Sequence, residues 1–88
     1  MKVSFNPNFA RDLKDLKDKA LHERVAAVIK EIEAADKLAD IPNVKKIKGY
    51  RHVYRIRIGN YRMGIYCESD EVELVRILHR KDIYRKFP

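Results

Sequence analysis

The chain has 88 residues, 45% of them apolar, with 20 Lys plus Arg against 13 Asp plus Glu, a formal net charge of +7. That length supports one small domain and excludes a cleft between two large lobes or a doubly wound dinucleotide fold. The apolar share excludes a disordered tail. There is no apolar run long enough for a transmembrane helix, and Met1–Pro7 carries no signal-peptide stretch. The single Cys67 allows no internal disulfide, so the expected compartment is the cytoplasm.

Lys2–Phe5 reads as a short strand. Asn6-Pro7 then starts a helix, with Asn6 as N-cap and Pro7 in the first turn, and Phe9, Leu13 and Leu16 fall on one helical face. A break near Lys17–Lys19, with Asp18 as a cap, separates it from a second amphipathic helix carrying Leu21, Val25, Val28, Ile29 and Ile32 through about Ala35. Asp36–Lys48 reads as a loop punctuated by Pro42 and Asn43. From His52 the period becomes two: Tyr54, Ile56 and Ile58 alternate with Val53, Arg55 and Arg57. Gly59-Asn60 is a two-residue hairpin turn, Tyr61–Glu68 the return strand, Ser69-Asp70 a second turn, and Val72–Arg80 a third strand. The order predicts a single α+β domain over residues 1–88, β-α-α-β-β-β. Two helices pack on one face of a mainly antiparallel sheet, and the other face is left open.

The charge is segregated along this order. Residues 1–44 hold eight basic and eight acidic side chains, whereas residues 45–88 hold twelve and five. Between Lys45 and Tyr66 stand Lys45, Lys46, Lys48, Arg51, Arg55, Arg57 and Arg62 with no acid among them. One-signed clustering suits a polyanionic partner; plain solubility is the alternative reading. A two-residue turn at Gly59-Asn60 pairs Ile58 with Tyr61, Arg57 with Arg62, Ile56 with Met63, and Arg55 with Gly64. Arg55, Arg57 and Arg62 then share one face, while Ile56, Ile58, Tyr61 and Met63 face the helices. Like charges directly opposite one another are destabilising, but guanidinium forks bind phosphate oxygens bidentately. Three arginines on one face therefore predict an anion site.

Lys46-Ile47-Lys48-Gly49, the run Tyr54-Arg55-Ile56-Arg57-Ile58-Gly59-Asn60-Tyr61-Arg62, and His79-Arg80-Lys81-Asp82-Ile83-Tyr84-Arg85 together resemble the RelE/ParE superfamily of toxins from type II toxin–antitoxin systems, in particular its RelE-like branch. The resemblance implies a toxin held by a cognate antitoxin in a heterotetramer or larger complex, without a membrane partner. It implies ribosome-dependent cleavage of mRNA in the A site by 2′-OH attack on the adjacent phosphate, with no metal and no cofactor. By the same resemblance, Arg55 and Arg57 hold RNA phosphates or serve in proton abstraction. Arg62 stabilises developing charge on the phosphate, Arg80 assists the leaving 5′-oxygen, and Tyr84, in a short charged tail, stacks on the base. Lys45, Lys46, Lys48, Arg51, Lys81 and Arg85 extend the RNA-binding surface. The RelE type member has lysines where this chain has Arg55 and Arg57, and an arginine is a poor base. His79, which would join the catalytic set, and His52 are the candidates for the base.

The register of the third strand decides between neighbours. A strict two-residue turn at Ser69-Asp70 puts Ile77 and His79 on the face of Arg62, and one more loop residue puts Leu78 and Arg80 there instead. The rivals of the nuclease reading are a ParE-like inhibitor of DNA gyrase and a basic RNA-binding relic without catalysis. His22 reads as a solvent-edge helix residue, Cys67 as a small core residue, Tyr50, Tyr54, Tyr61 and Tyr66 as strand packing, and Glu68, Asp70, Glu71 and Glu73 as a soluble acidic turn. No metal-ligand spacing is present.

Overall fold

A computed structural model describes residues 1–88. The elements are β1 (Lys2–Phe5), α1 (Pro7–Asp15), α2 (Lys19–Ala34), a 3-10 turn (Leu38–Asp40), β2 (Val44–Lys46), β3 (Val53–Ile58), β4 (Tyr61–Glu68), β5 (Glu71–His79) and α3 (Arg80–Lys86). The five strands form one sheet in the order β1-β5-β4-β3-β2, antiparallel except for the β1–β5 pair. No helix is long and apolar enough to cross a membrane.

Both predicted helix starts hold: the Asn6 side chain accepts from the Asn8 N–H at 2.9 Å and Asp18 from Leu21 at 3.2 Å. Between them His22 Nε2 meets the Leu16 carbonyl at 2.7 Å, so this half-buried imidazole ties α2 to the end of α1 instead of facing solvent. Phe9, Leu21, Val25 and Ile32 pack against Ile56, Ile58, Met63, Ile65, Leu74 and Ile77, which forms the main core on one sheet face.

Two expectations change. Val44–Lys46, inside the expected loop, is an edge strand paired with β3. Three residues are too few to show a period, and lysines are common on an edge that must not recruit another strand. The third strand stops at His79, and the expected charged tail is α3, whose first N–H groups include that of Lys81, donated to His79 Nδ1 at 3.2 Å. Ile83 and Phe87, one turn apart, press on Val53, with Ile47, Val75 and Leu78 around them. The second face of the sheet is thus half covered. Gly64 makes this possible, because a Cβ there would stand 2.6 Å from the Phe87 ring.

The register question has an unexpected answer. The Ser69-Asp70 turn is strictly two residues, since Glu68 pairs with Glu71. Yet Ile65 pairs with Leu74 and Gly64 with Arg76, so the extra residue is a bulge at Val75 inside the strand, not a longer loop. Beyond it Arg62 pairs with Leu78 and Tyr61 with His79.

The edge of β5 beyond the bulge is closed by α1. The buried Asp12 carboxylate accepts from the Ile77 N–H at 3.1 Å and from Arg76 Nε and Nη2 at 2.7 and 2.9 Å. The bond to Asp12 holds the Arg76 guanidinium above its ordinary range, against the opposing effect of burial. These residues lie 64 positions apart and carry no local signal.

Candidate functional site

The open part of the second sheet face is where the arginines stand. Arg57 pairs directly with Arg62, Arg55 with Gly64, and Lys45 of β2 with Arg55. Asn43, Val44, Lys45, Arg55, Arg57 and Arg62 line a cavity of about 230 Å³. None of them is a carboxylate or an imidazole.

Arg62 is the hub. Its Nη1 donates to the carbonyls of Gly59 and Tyr61, each at 2.9 Å, so the hairpin turn orients its guanidinium. Gly59 has a positive φ and Asn60 does not, the pattern of a type II′ turn. The Arg62 cation is held below the ordinary arginine range, first by burial, then by the charges of Arg55, Arg57 and Arg80. Arg80 joins the cluster from the start of α3, where its N–H donates to the Asn60 carbonyl at 2.8 Å, docking that helix end on the same turn. Tyr84, four residues on, is exposed and lies along the same side of α3. Arg55 Cζ stands 5.2 Å from the centroid of its ring, within cation–π reach.

Arg55, Arg57, Arg62, Arg80, Tyr84 and Lys45 therefore come together. The other predicted residues do not. His79 pairs with Tyr61 on the helix-covered face, their rings edge to face at 5.4 Å, because the Val75 bulge turns it away from Arg62. His52 precedes β3 at the opposite end of the hairpin. Its ring lies 5.8 Å from that of Tyr66, and Tyr66 pairs with Val53, four residues along the strand from Arg57. Lys46 pairs with Tyr54 and so alternates to the helix side. Lys48 and Arg51 are exposed in the β2–β3 loop, Lys81 is exposed on α3, and Arg85 is paired with Asp82 at 2.6 Å. Cys67 is buried, and burial followed by the charge of Asp70 raises its thiol above the ordinary range, which suits packing and not nucleophilic attack.

Comparison with known proteins agrees with this architecture. The family described as "ParE toxin of type II toxin-antitoxin system, parDE" matches residues 3–84. Toxin RelE3 of Methanocaldococcus jannaschii is 44% identical over the whole of both chains. A crystal structure of a RelB–RelE antitoxin–toxin complex from Methanococcus jannaschii superposes with a TM-score of 0.82 at 40% identity, covering 97% of this chain and 99% of that one. The RelE–RelB complex of Pyrococcus horikoshii shares the fold, with a TM-score of 0.73 at 20% identity over 90% of this chain and 93% of its own. With the family matched along nearly the whole chain and a full-length relative at 44% identity, the protein belongs to the RelE/ParE family of type II toxin–antitoxin toxins.

Proposed function

We propose that the protein is a ribosome-dependent mRNA endonuclease, and that its cognate antitoxin is a RelB-like chain. One observation carries the reading: Arg57 faces Arg62 across the hairpin, with Arg55 and Arg80 adding to the repulsion and no carboxylate lining the cavity between them. A cluster that disfavours its own central cation is accounted for by a ligand carrying concentrated negative charge, and a pentacoordinate phosphorane is such a species. The solved relatives, one named as a RelB–RelE antitoxin–toxin complex and the other as a RelE–RelB complex, support a protein partner of the RelB kind.

In the reaction the 2′-oxygen attacks the adjacent phosphorus, the bond to the 5′-oxygen breaks, and the products are a 2′,3′-cyclic phosphate and a 5′-hydroxyl. Arg62, held by the turn carbonyls, faces the phosphate oxygens as charge builds on them. Arg55 and Arg57 hold the strand, and Arg80 stabilises the leaving 5′-oxygenate, which takes a proton from water to give the 5′-hydroxyl. Tyr84 stacks on a base made available by the single-stranded message. Arginine stays protonated through the physiological range and neither His52 nor His79 lies in the cluster, so the 2′-OH proton passes to solvent or to a group of the ribosome. The chain's contribution is electrostatic and positional.

The test is induced expression with mapping of mRNA 5′ ends. Cuts within codons of translated messages are expected, and Arg62→Ala and Arg80→Ala should relieve growth arrest. Intact messages with DNA-damage signalling would favour gyrase inhibition, the activity suggested by the ParE name of the matched family.

A further inference from the structure

Arg24 belongs to α2, in the electrically neutral half of the chain and on the layer opposite the arginine cluster. Its guanidinium nevertheless reaches the hairpin turn. A Cβ added to Gly59 would stand 2.7 Å from Arg24 Nη1 and 3.5 Å from its Cζ. The carbonyl of the same glycine accepts Arg62 Nη1 at 2.9 Å. One residue therefore has a guanidinium against its α-carbon and a second on its oxygen. Neither salt bridge of the molecule involves Arg24. Asp18, which shares its small pocket with Asn60 and Tyr61, is engaged as the cap of α2. Arg24 and Arg62 thus stand on opposite sides of one turn, and a polyanion crossing that turn meets a cation on each side.

We propose that Arg24 is a substrate-positioning residue that binds a phosphate flanking the scissile one, as the RNA strand passes over the Gly59-Asn60 turn toward α2. This rests on the nuclease reading. Gly59 then serves twice: it supplies the positive φ of the turn, and its missing side chain leaves the path by which Arg24 reaches the strand. Arg24 touches no reacting atom, so it contributes through alignment and local charge, and not through proton transfer.

The experiment uses ribosomes programmed with a short message in which each phosphate around the cut site is replaced in turn by an uncharged methylphosphonate. Arg24→Ala is expected to lower kcat/KM about 5-fold with an unchanged Tm, as for one solvated ion pair. Arg24→Lys should restore most of the loss. At one flanking position the methylphosphonate should lower the wild-type rate by the same factor and leave Arg24→Ala unaffected, since the contact is already gone. Full activity in Arg24→Ala overturns the assignment, as does a variant that remains as sensitive as the wild type to every replacement. If the wild-type protein leaves the unmodified message uncut while Arg62→Ala still relieves growth arrest, the nuclease reading itself falls and this assignment with it.

Discussion

The two faces of the sheet are made by alternate residues of the same strands and obey opposite rules. On one, Ile56, Ile58, Met63, Ile65, Leu74 and Ile77 are at most 3% exposed beneath α1 and α2. On the other, Val53 and Gly64 lie under Ile83 and Phe87, and the strip beyond them is given to Arg55, Arg57 and Arg62. The first face lowers free energy by removing apolar surface from water. The arginine strip raises it, setting like charges opposite each other where stability alone would place a neutral or complementary pair. The difference separates what holds the fold from what the fold presents: the apolar face is closed by α1 and α2, whereas the arginine strip is left open, and in the function proposed above an anion completes it.

Breaking the apolar face should have the largest effect. Phe9 is fully buried in α1 and Phe9→Ala should lower unfolding stability by about 3–5 kcal/mol, measured by urea denaturation. A loss under about 1 kcal/mol would mean that α1 is not part of the cooperative core. On the arginine face the same size of effect belongs to activity. Arg62→Ala should reduce cleavage on programmed ribosomes by roughly 10²–10³-fold, as for the loss of one donor to a developing oxyanion, while the folded state persists. His52→Gln and His79→Gln should stay within about threefold of wild type and keep its pH–rate slope, because neither imidazole faces the cluster. A rate collapse in either would restore that histidine as the base.

Much of this division was legible in the sequence. The period of two, the Gly59-Asn60 turn and the resulting Arg57–Arg62 pair follow from local rules, and each stands as expected. The neutral first half and basic second half located the charged surface. What escaped was set by tertiary contact. The Val75 bulge answers to packing under α3, and nothing in Glu73-Leu74-Val75-Arg76 announces it. With only Ile83 and Phe87 as its apolar pair, α3 offers too little periodicity to be recognised. Arg76, counted in the basic surplus, is consumed by Asp12 from 64 residues away, and Arg24, counted in the neutral first half, lies against the Gly59 turn.

Gly64 is where the two halves of the second face meet, so it sharpens the comparison at intermediate size. Gly64→Ala drives a Cβ to within 2.6–2.8 Å of the Phe87 ring. The ring must give way, at about 1–3 kcal/mol of stability. Because α3 carries Arg80 and Tyr84, cleavage should fall together with stability, and pairing the substitution with Phe87→Leu should return part of both. Activity unchanged in Gly64→Ala would show that α3 contributes nothing to the site.

The smallest effect is the most diagnostic, because its sign is opposite to the others. Arg62→Gln should raise thermal stability while removing activity. The Arg62 cation is held below its ordinary range by burial and by Arg55, Arg57 and Arg80, so the folded protein binds that proton less tightly than the unfolded chain does. For a base shifted downward the penalty is fully present at every pH below the folded-state value and is relieved only as pH rises through it. Across pH 5–9, far below any arginine titration, the penalty is therefore constant, and so is the gain from removing the charge. The gain should be a few tenths to about 1 kcal/mol at low salt, the scale of one cross-strand charge pair. It should shrink as the screening length falls from about 10 Å at 0.1 M to about 3 Å at 1 M salt. Added inorganic phosphate should stabilise the wild type more than Arg62→Gln, since the anion relieves a repulsion that the variant no longer has. A destabilised Arg62→Gln would mean that the bonds from Arg62 to the Gly59 and Tyr61 carbonyls outweigh the repulsion, and that the arginine face is held together by its own turn instead of waiting for an anion.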